Sequence, residues 1–281
     1  MKTETLNIDQ YVLWIDGRPC PSSDHNYFET INPSTGELLA RVAEATEADI
    51  EGAVASCRRA FDQGPWPQLS AKERGSCLLK IANLIRENAK VLAELESLDT
   101  GKTIKQTTFI DVPTAVDCFE YFANAGGQLK GDQIPVLDPV LSIVEREPVG
   151  VVTCIIPFNY PLIMAAWKIA PALIAGNTVL FKPSPLASVS IMKLAQLVGE
   201  IGLPPGVLNF VTSSQPKTSA LLVGHPDVDM VSFSGSTTTG QEIMRLASST
   251  TKKICLELGG KSQNIVFADC DLDSAVGGTL S

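Results

Sequence analysis

The chain has 281 residues, 44% of them hydrophobic, and carries 22 Lys+Arg against 31 Asp+Glu for a net charge of −9. That length allows a large buried core, as one big domain or two small ones. The acidic balance, with no basic run interleaved with aromatics, argues against nucleic acid as a principal partner and leaves small ligands.

The first residues, MKTETLNIDQYVLWID, contain no apolar leader between a basic start and a small-residue cleavage site. Tyr11 to Asp16 and the run Phe28 to Val42 read as short strands, the latter punctuated by the turn Asn32-Pro33-Ser34-Thr35-Gly36. Thr46 with Asp49, and Ser70 with Glu73, carry capping-box signatures ahead of residues at helical spacing. The first helix should end at Gly64-Pro65. After a polar break at Glu87-Asn88 another helical piece runs through Leu98 and stops at Gly101. Pro113 suits the first turn of a further helix, ending at Gly126-Gly127. From Gln133 to Pro148 the chain becomes extended and punctuated by prolines, which predicts a hairpin or arm leaving the globule, because Pro135 and Pro139 would spoil a central strand.

Val149 to Ile156 is a β-branched apolar run suited to a strand covered on both faces. A break at Pro157-Phe158-Asn159-Tyr160-Pro161, a helical segment Leu162 to Ala175 and a strand Thr178 to Phe181 complete a βαβ unit. Lys168, Pro171, Gly176 and Asn177 interrupt the apolar stretch, so it is not a membrane span. The alternation continues with helices near Val189–Ile201, Thr218–Val223 and Thr239–Ala247 and strands Val207–Val211, Met230–Phe233 and Ile254–Leu258. Five strands alternating with helices predict an α/β fold with a doubly wound, Rossmann-like parallel sheet. Such sheets bind ligands at the carboxyl edge, which puts Asn159 and Lys182 on one rim. Gln263 to Ala268 should begin a further strand, and Asp269 and Asp271 a helix that reaches Ser281 about two turns later, an ending that reads as a truncation.

Seven cysteines, an odd number with no C-x-x-C pair, and two histidines give neither a zinc site nor a disulfide framework, which predicts a reducing, cytoplasmic setting and no metal. No G-x-G-x-x-G follows a strand, and Gly260-Lys261-Ser262 only imitates the end of a P-loop. Phe233-Ser234-Gly235-Ser236-Thr237-Thr238-Thr239-Gly240 instead runs from a strand through a small-residue turn into a helix. Its backbone N–H groups and the Ser236 hydroxyl suit a pyrophosphate, although an ordinary capped turn fits the same residues. Glu257 ends an apolar strand on the same edge. Partial burial would raise its pKa toward that of a general base, and pairing with Lys252 or Lys261 is the alternative.

These motifs, with Trp167-Lys168-Ile169-Ala170-Pro171-Ala172-Leu173, Lys182-Pro183-Ser184, Pro204-Pro205-Gly206-Val207 and Glu257-Leu258-Gly259-Gly260-Lys261, resemble the aldehyde dehydrogenase superfamily over nearly the whole chain. The resemblance implies NAD(P)-dependent oxidation of an aldehyde to an acid. Asn159 then resembles the oxyanion-hole amide, Glu257 the base that activates water, and Lys168 the lysine behind it. It further implies cofactor binding, with NAD or NADP, by Ile155, Pro157, Phe158, Asn159, Lys182, Ser184, Phe233, Gly235, Ser236, Gly240 and Leu258. By the same resemblance, residues 1–132 and 149–258 would form the cofactor domain. Residues 133–148 would form an arm for homo-oligomerisation, and 259–281 the truncated start of a catalytic domain.

Four departures qualify the match. Pro185 stands where members that prefer NAD carry a glutamate, which leaves NADP open. Phe158 replaces the usual tryptophan, and Thr212-Ser213-Ser214-Gln215-Pro216 replaces a glycine-bearing loop near the cofactor. The family nucleophile, a cysteine in a Gly-Gln-x-Cys setting thirty-odd residues after the glutamate, has no counterpart among the 24 residues after Glu257. The 281 residues alone are therefore expected to be inactive. A catalytically silent nucleotide-binding or assembly module is the competing reading.

Overall fold

A computed structural model describes residues 9–279. The first eight residues, which begin the stretch expected to carry no apolar leader, and Leu280 and Ser281 lie outside the described part. Strands β1 (Asp9–Tyr11), β2 (Leu13–Ile15), β3 (Arg18–Cys20), β4 (Tyr27–Ile31) and β5 (Leu38–Ala43) divide between two sheets. β4 and β5 pair antiparallel around the Asn32 turn, where Asn32 Oδ1 accepts the Ser34 N–H at 2.9 Å, and β1 joins β5 in parallel.

Both capping boxes form. Thr46 opens α1 (Glu47–Asp62) and Ser70 opens α2 (Ala71–Glu87), each side chain accepting from the N3 amide while the N3 carboxylate reaches back. α3 (Ala89–Thr100) follows and ends at Gly101, whose φ of 77° is the left-handed conformation that a glycine adopts without a Cβ clash. The helix expected to start near Pro113 begins earlier, with α4 (Ile104–Gln106), a π-helical stretch Thr107–Asp111 and α5 (Val112–Ala125) running on without a break. Pro113 has no N–H for the α ladder, and the Val112 N–H bonds to Thr107 O instead. The wider turn absorbs the proline inside a longer helical run.

The proline-rich stretch forms an antiparallel hairpin of β6 (Asp132–Ile134) and β7 (Ser142–Val144). Its apolar side chains Leu137, Val140 and Leu141 are 88%, 65% and 65% exposed. Among the described residues nothing covers them.

The remaining strands and helices alternate as β8 (Val151–Ile155), α6 (Pro161–Ile174), β9 (Thr178–Lys182), α7 (Val189–Val198), β10 (Leu208–Phe210), α8 (Pro216–Gly224), β11 (Met230–Ser234), α9 (Thr237–Ala247) and β12 (Lys253–Glu257). The sheet order is β12-β11-β8-β9-β10-β2-β3, parallel from β12 to β10 with β2 and β3 antiparallel at the far edge. Successive residues feed opposite cores. Val152, Cys154, Val179 and Phe181 pack with α2, α5, α6 and α7, whereas Val151, Ile155, Leu180 and Phe233 pack with α1, α8 and α9. Helices on both faces make this the doubly wound α/β sheet that the alternation predicts.

From β8 the chain builds outward through β9 and β10, then returns to place β11 on the other side of β8. The carboxyl ends of β8 and β11 therefore diverge, which is where such sheets open a crevice. Beyond Glu257 the expected strand Gln263–Ala268 does not form: among the described residues no strand lies beside it, and Ile265 and Phe267 are exposed. A lone extended segment has no ladder to join. α10 (Leu272–Thr279) does form, with Asp271 Oδ1 accepting the Ser274 N–H at 2.8 Å.

Candidate active site

Two clefts open at the switch point, one on each face of the sheet. The first, of about 880 Å³, lies between α6 and the β11–β12 edge and is lined among others by Asn159, Trp167, Lys168, Ser232 and Glu257. Strand register explains the grouping. Ser232 pairs with Cys255 and Ser234 with Glu257, and paired residues of parallel strands point to the same face. α6 lies over that face and presents Met164, Trp167 and Lys168 at i, i+3 and i+4.

Lys168 is 8% exposed and donates from Nζ to Ser232 Oγ at 2.9 Å. Burial lowers its pKa, against the opposing pull of Cys154, Cys255 and Glu257. Asn159, at the tip of the turn between β8 and α6, is exposed at the cleft. The partial burial expected of Glu257 is absent. The residue is exposed, because β12 is the edge strand and Leu258 to Gly260 leave it open to solvent. Nor does Glu257 pair with Lys252 or Lys261: Lys252 Nζ donates instead to His225 O at 2.5 Å.

The second cleft, of about 330 Å³, lies on the opposite face between α8 and α9 and is mainly apolar, with Ile155, Val223, Phe233, Ile243 and Leu246 in its wall. Ile155 and Phe233 are register partners, so one pair of side chains forms its floor. At its rim, α9 starts from Ser236, whose Oγ accepts the Thr239 N–H at 3.2 Å, and its first turn carries no acidic residue.

Pro157, Phe158, Asn159, Gly235, Ser236 and Leu258 line the first cleft, and Ile155 and Phe233 the second. Lys182, Ser184 and Gly240 line neither. Lys182 nevertheless stands beside the second cleft, since it is the register partner of Ile155. It is 4% exposed, and burial pushes its pKa down to about 8 despite the nearby charge of Glu44. Gly240 is buried in α9, where an added Cβ would come within 2.5 Å of Leu258 Cδ2.

The chain's relatives decide what this arrangement belongs to. The profile described as the aldehyde dehydrogenase family matches residues 20–281. A betaine aldehyde dehydrogenase of Bacillus subtilis is 45% identical over 271 residues, covering 96% of this chain and 55% of the relative. An aldehyde dehydrogenase of Alternaria alternata is 41% identical, covering 94% and 53%. The chain belongs to the aldehyde dehydrogenase family.

Among solved structures, the NAD+ complex of the aldehyde dehydrogenase from Bacillus cereus superposes with a TM-score of 0.94 at 41% identity, covering 96% of this chain and 55% of that one. A betaine aldehyde dehydrogenase mutant from Staphylococcus aureus, also in complex with NAD+, gives 0.92 at 40%, covering 95% and 54%. The chain thus spans about half the length of the aldehyde dehydrogenases it matches. Among the described residues, no helix is long and apolar enough to cross a membrane and no cluster of residues could hold a metal ion.

Cys255 also lines the cleft, a place that no motif around it signals. The motif reading also missed Glu44, whose carboxylate accepts from the Ser213 and Ser214 hydroxyls and the Ser214 N–H and so fixes the loop after β10. No local pattern marks a strand-end glutamate that reaches 170 residues along the chain.

Proposed function

We propose that this chain supplies the cofactor side and half of the active site of an NAD(P)-dependent aldehyde dehydrogenase. The observation that carries the reading is the meeting of Asn159, Lys168 and Glu257 in one cleft, backed across the sheet by an apolar cleft beside a helix N-terminus. The residues present fit a dinucleotide. The narrow apolar cleft suits an adenine ring, the N–H groups at the start of α9 suit a pyrophosphate, and Lys182 beside Ile155 suits the ribose hydroxyls. Gly235 supports this, since a Cβ there would come within 2.4 Å of the Phe233 ring. Pro185 contributes no carboxylate against a 2′-phosphate, so NADP as well as NAD is accepted. Bound there, the nicotinamide would supply the hydride acceptor.

Toward an aldehyde, the Asn159 side chain donates a hydrogen bond to the oxygen that gains charge as a nucleophile adds to the carbonyl carbon. Glu257 removes a proton from the water that releases the acid, and Lys168, held on Ser232, steadies the carboxylate from beneath. The thiol that must carry the acyl group is not provided by the seven cysteines. Cys57 and Cys154 are buried, with thiols pushed up to about 12 by desolvation. Cys255 lines the cleft but precedes Glu257 on the same strand. The 281 residues are therefore proposed to bind cofactor without turning over aldehyde.

The hairpin at 133–148, with its uncovered Leu137, Val140 and Leu141, is proposed to pair with another copy of the protein. The segments 1–132 and 149–258 then act as the cofactor domain and 259–281 as the lead into the catalytic one. Calorimetric titration of the chain with NAD+ and NADP+, followed by a search for reduced nicotinamide on adding an aldehyde, tests the core of this. Saturable binding without reduction is expected. A chain that folds and binds neither nucleotide would refute the cofactor assignment, and steady reduction would refute the claim of inactivity.

A further inference from the structure

α6 and α7 both begin without a side chain of their own to close the first turn: the N-cap residues Tyr160 and Ser188 make no side-chain cap bond. The acceptors come from α3. Glu96 Oε1 accepts the Leu162 N–H at 3.2 Å, and Glu96 Oε2 accepts the Ser190 hydroxyl at 2.5 Å. One turn on, Asp99 Oδ2 accepts the Val189 N–H at 2.8 Å and Oδ1 the Thr30 hydroxyl at 2.7 Å. Just past the end of α3, Lys102 Nζ sits 3.4 Å from the centroid of the Tyr160 ring and 2.5 Å from Asp111 Oδ2. A single short helix thus grips the two loops that lead out of β8 and β9. One loop carries Asn159, three residues before Leu162, and the other begins just after Lys182, the last residue of β9 and eight residues before Ser190.

Glu96 is the centre of this grip, fully buried among α3, α6 and α7. An amphipathic helix does not require a carboxylate there, and desolvating one is costly unless it is well bonded. We propose that Glu96 is a positioning residue that fixes the spacing between the Asn159 turn and the Lys182 loop by holding the first turns of α6 and α7 together. The inference rests on the reading of Asn159 and Lys182 as oxyanion and cofactor groups, but the clamp itself does not.

Burial pushes the Glu96 carboxyl up to about 7, helped by the charge of Asp111 and opposed by the Ser190 and Leu162 bonds and by Lys102. Both clamp bonds favour the ionised carboxylate and desolvation outweighs them, so an opening that hydrates Glu96 becomes easier as pH rises from the ordinary value of 4.5 through about 7.

Hydrogen exchange of the 281-residue chain, read by mass spectrometry on wild type, Glu96→Gln and Glu96→Ala, tests this. Glu96→Ala should speed exchange in both 157–164 and 183–192 by roughly tenfold or more, with α1 unchanged, and Glu96→Gln should restore protection. Between roughly pH 5.5 and 8.5 the wild type should lose about 30-fold protection in both segments beyond the intrinsic rate change, while Glu96→Gln stays flat. A change spread evenly over the whole domain, confined to one segment, or not rescued by glutamine would overturn the proposal. If Glu96→Ala does not fold, the pH comparison of wild type with Glu96→Gln decides alone. NAD+ titration of the same proteins separates the two claims. Weaker binding by Glu96→Ala supports positioning, whereas a wild type that binds nothing yet shows the exchange pattern sinks the cofactor reading and leaves the clamp.

Discussion

Lys182 is held as an ammonium in a place that disfavours its charge. It is almost fully buried, its ammonium donates to Pro183 O at a long 3.4 Å, and the nearby Glu44 carboxylate is committed to Ser213 and Ser214. Desolvation lowers its pKa from 10.5 to about 8. At about 1.36 kcal/mol per unit, that shift costs the folded chain about 3 kcal/mol wherever the lysine is charged in both states, which is below pH 8. Between pH 8 and 10.5 the unfolded chain binds more protons than the folded one, so stability rises with pH and the cost is recovered. Lys182→Met keeps the length of the side chain and removes the charge. Without nucleotide at pH 7 it should gain about 3 kcal/mol, or roughly 6–12 °C in Tm for a chain of this size. By roughly pH 9.5 the advantage over wild type should shrink to about half. The same protein should lose most of its affinity for NAD+ and NADP+. Urea titrations at the two pH values with calorimetric binding measure both effects. A Lys182→Met protein no more stable than wild type at pH 7 would mean that the ammonium is well satisfied where it sits, and the reasoning would fail.

Other substitutions probe the frame around the site. Asn177 Oδ1 accepts the Val149 and Gly150 N–H groups at 2.6 and 3.0 Å while its Nδ2 donates to Ala172 O, so Asn177→Ala should cost about 2–4 kcal/mol in urea unfolding; a loss below about 0.5 kcal/mol would show that water replaces it. Gly150 has a φ of 131° and a Cβ there would fall 1.9 Å from Asp229 Oδ2, so Gly150→Ala should abolish the cooperative thermal transition or cost about 3 kcal/mol or more. Ser236→Ala removes the cap of α9 and should cost about 1 kcal/mol while weakening nucleotide binding. An unchanged urea midpoint would leave Ser236 without a capping role.

What could be read in advance was whatever is local. Thr46 with Asp49 and Ser70 with Glu73 declare their helices within four residues, and the alternation from Val149 to Leu258 declares the sheet. The grouping of Asn159, Lys168 and Glu257 followed from strand ends sharing one edge and from motifs that resemble the family. What escaped is long-range or depends on neighbours. Glu96 and Asp99 look like the polar face of an amphipathic helix, and only the tertiary fold turns them inward to cap helices 66 and 90 residues away. Gln263–Ala268 has the composition of a strand, but a strand needs a partner, and composition cannot supply one. Partial burial would have suited Glu257 as a base, yet it ends an edge strand and is exposed, which depends on what the next segment covers.

The Gly235 N–H donates to Glu257 O at 3.0 Å, one residue beyond the Ser234–Glu257 register pair. The turn proposed to hold the pyrophosphate and the carboxylate proposed to activate water are therefore stitched to each other through their main chains. A hinge that swung Glu257 aside would have to break this stitch or drag the phosphate cradle with it. Engineering that aims to relocate the acid while keeping the nucleotide seat must first uncouple these two backbones.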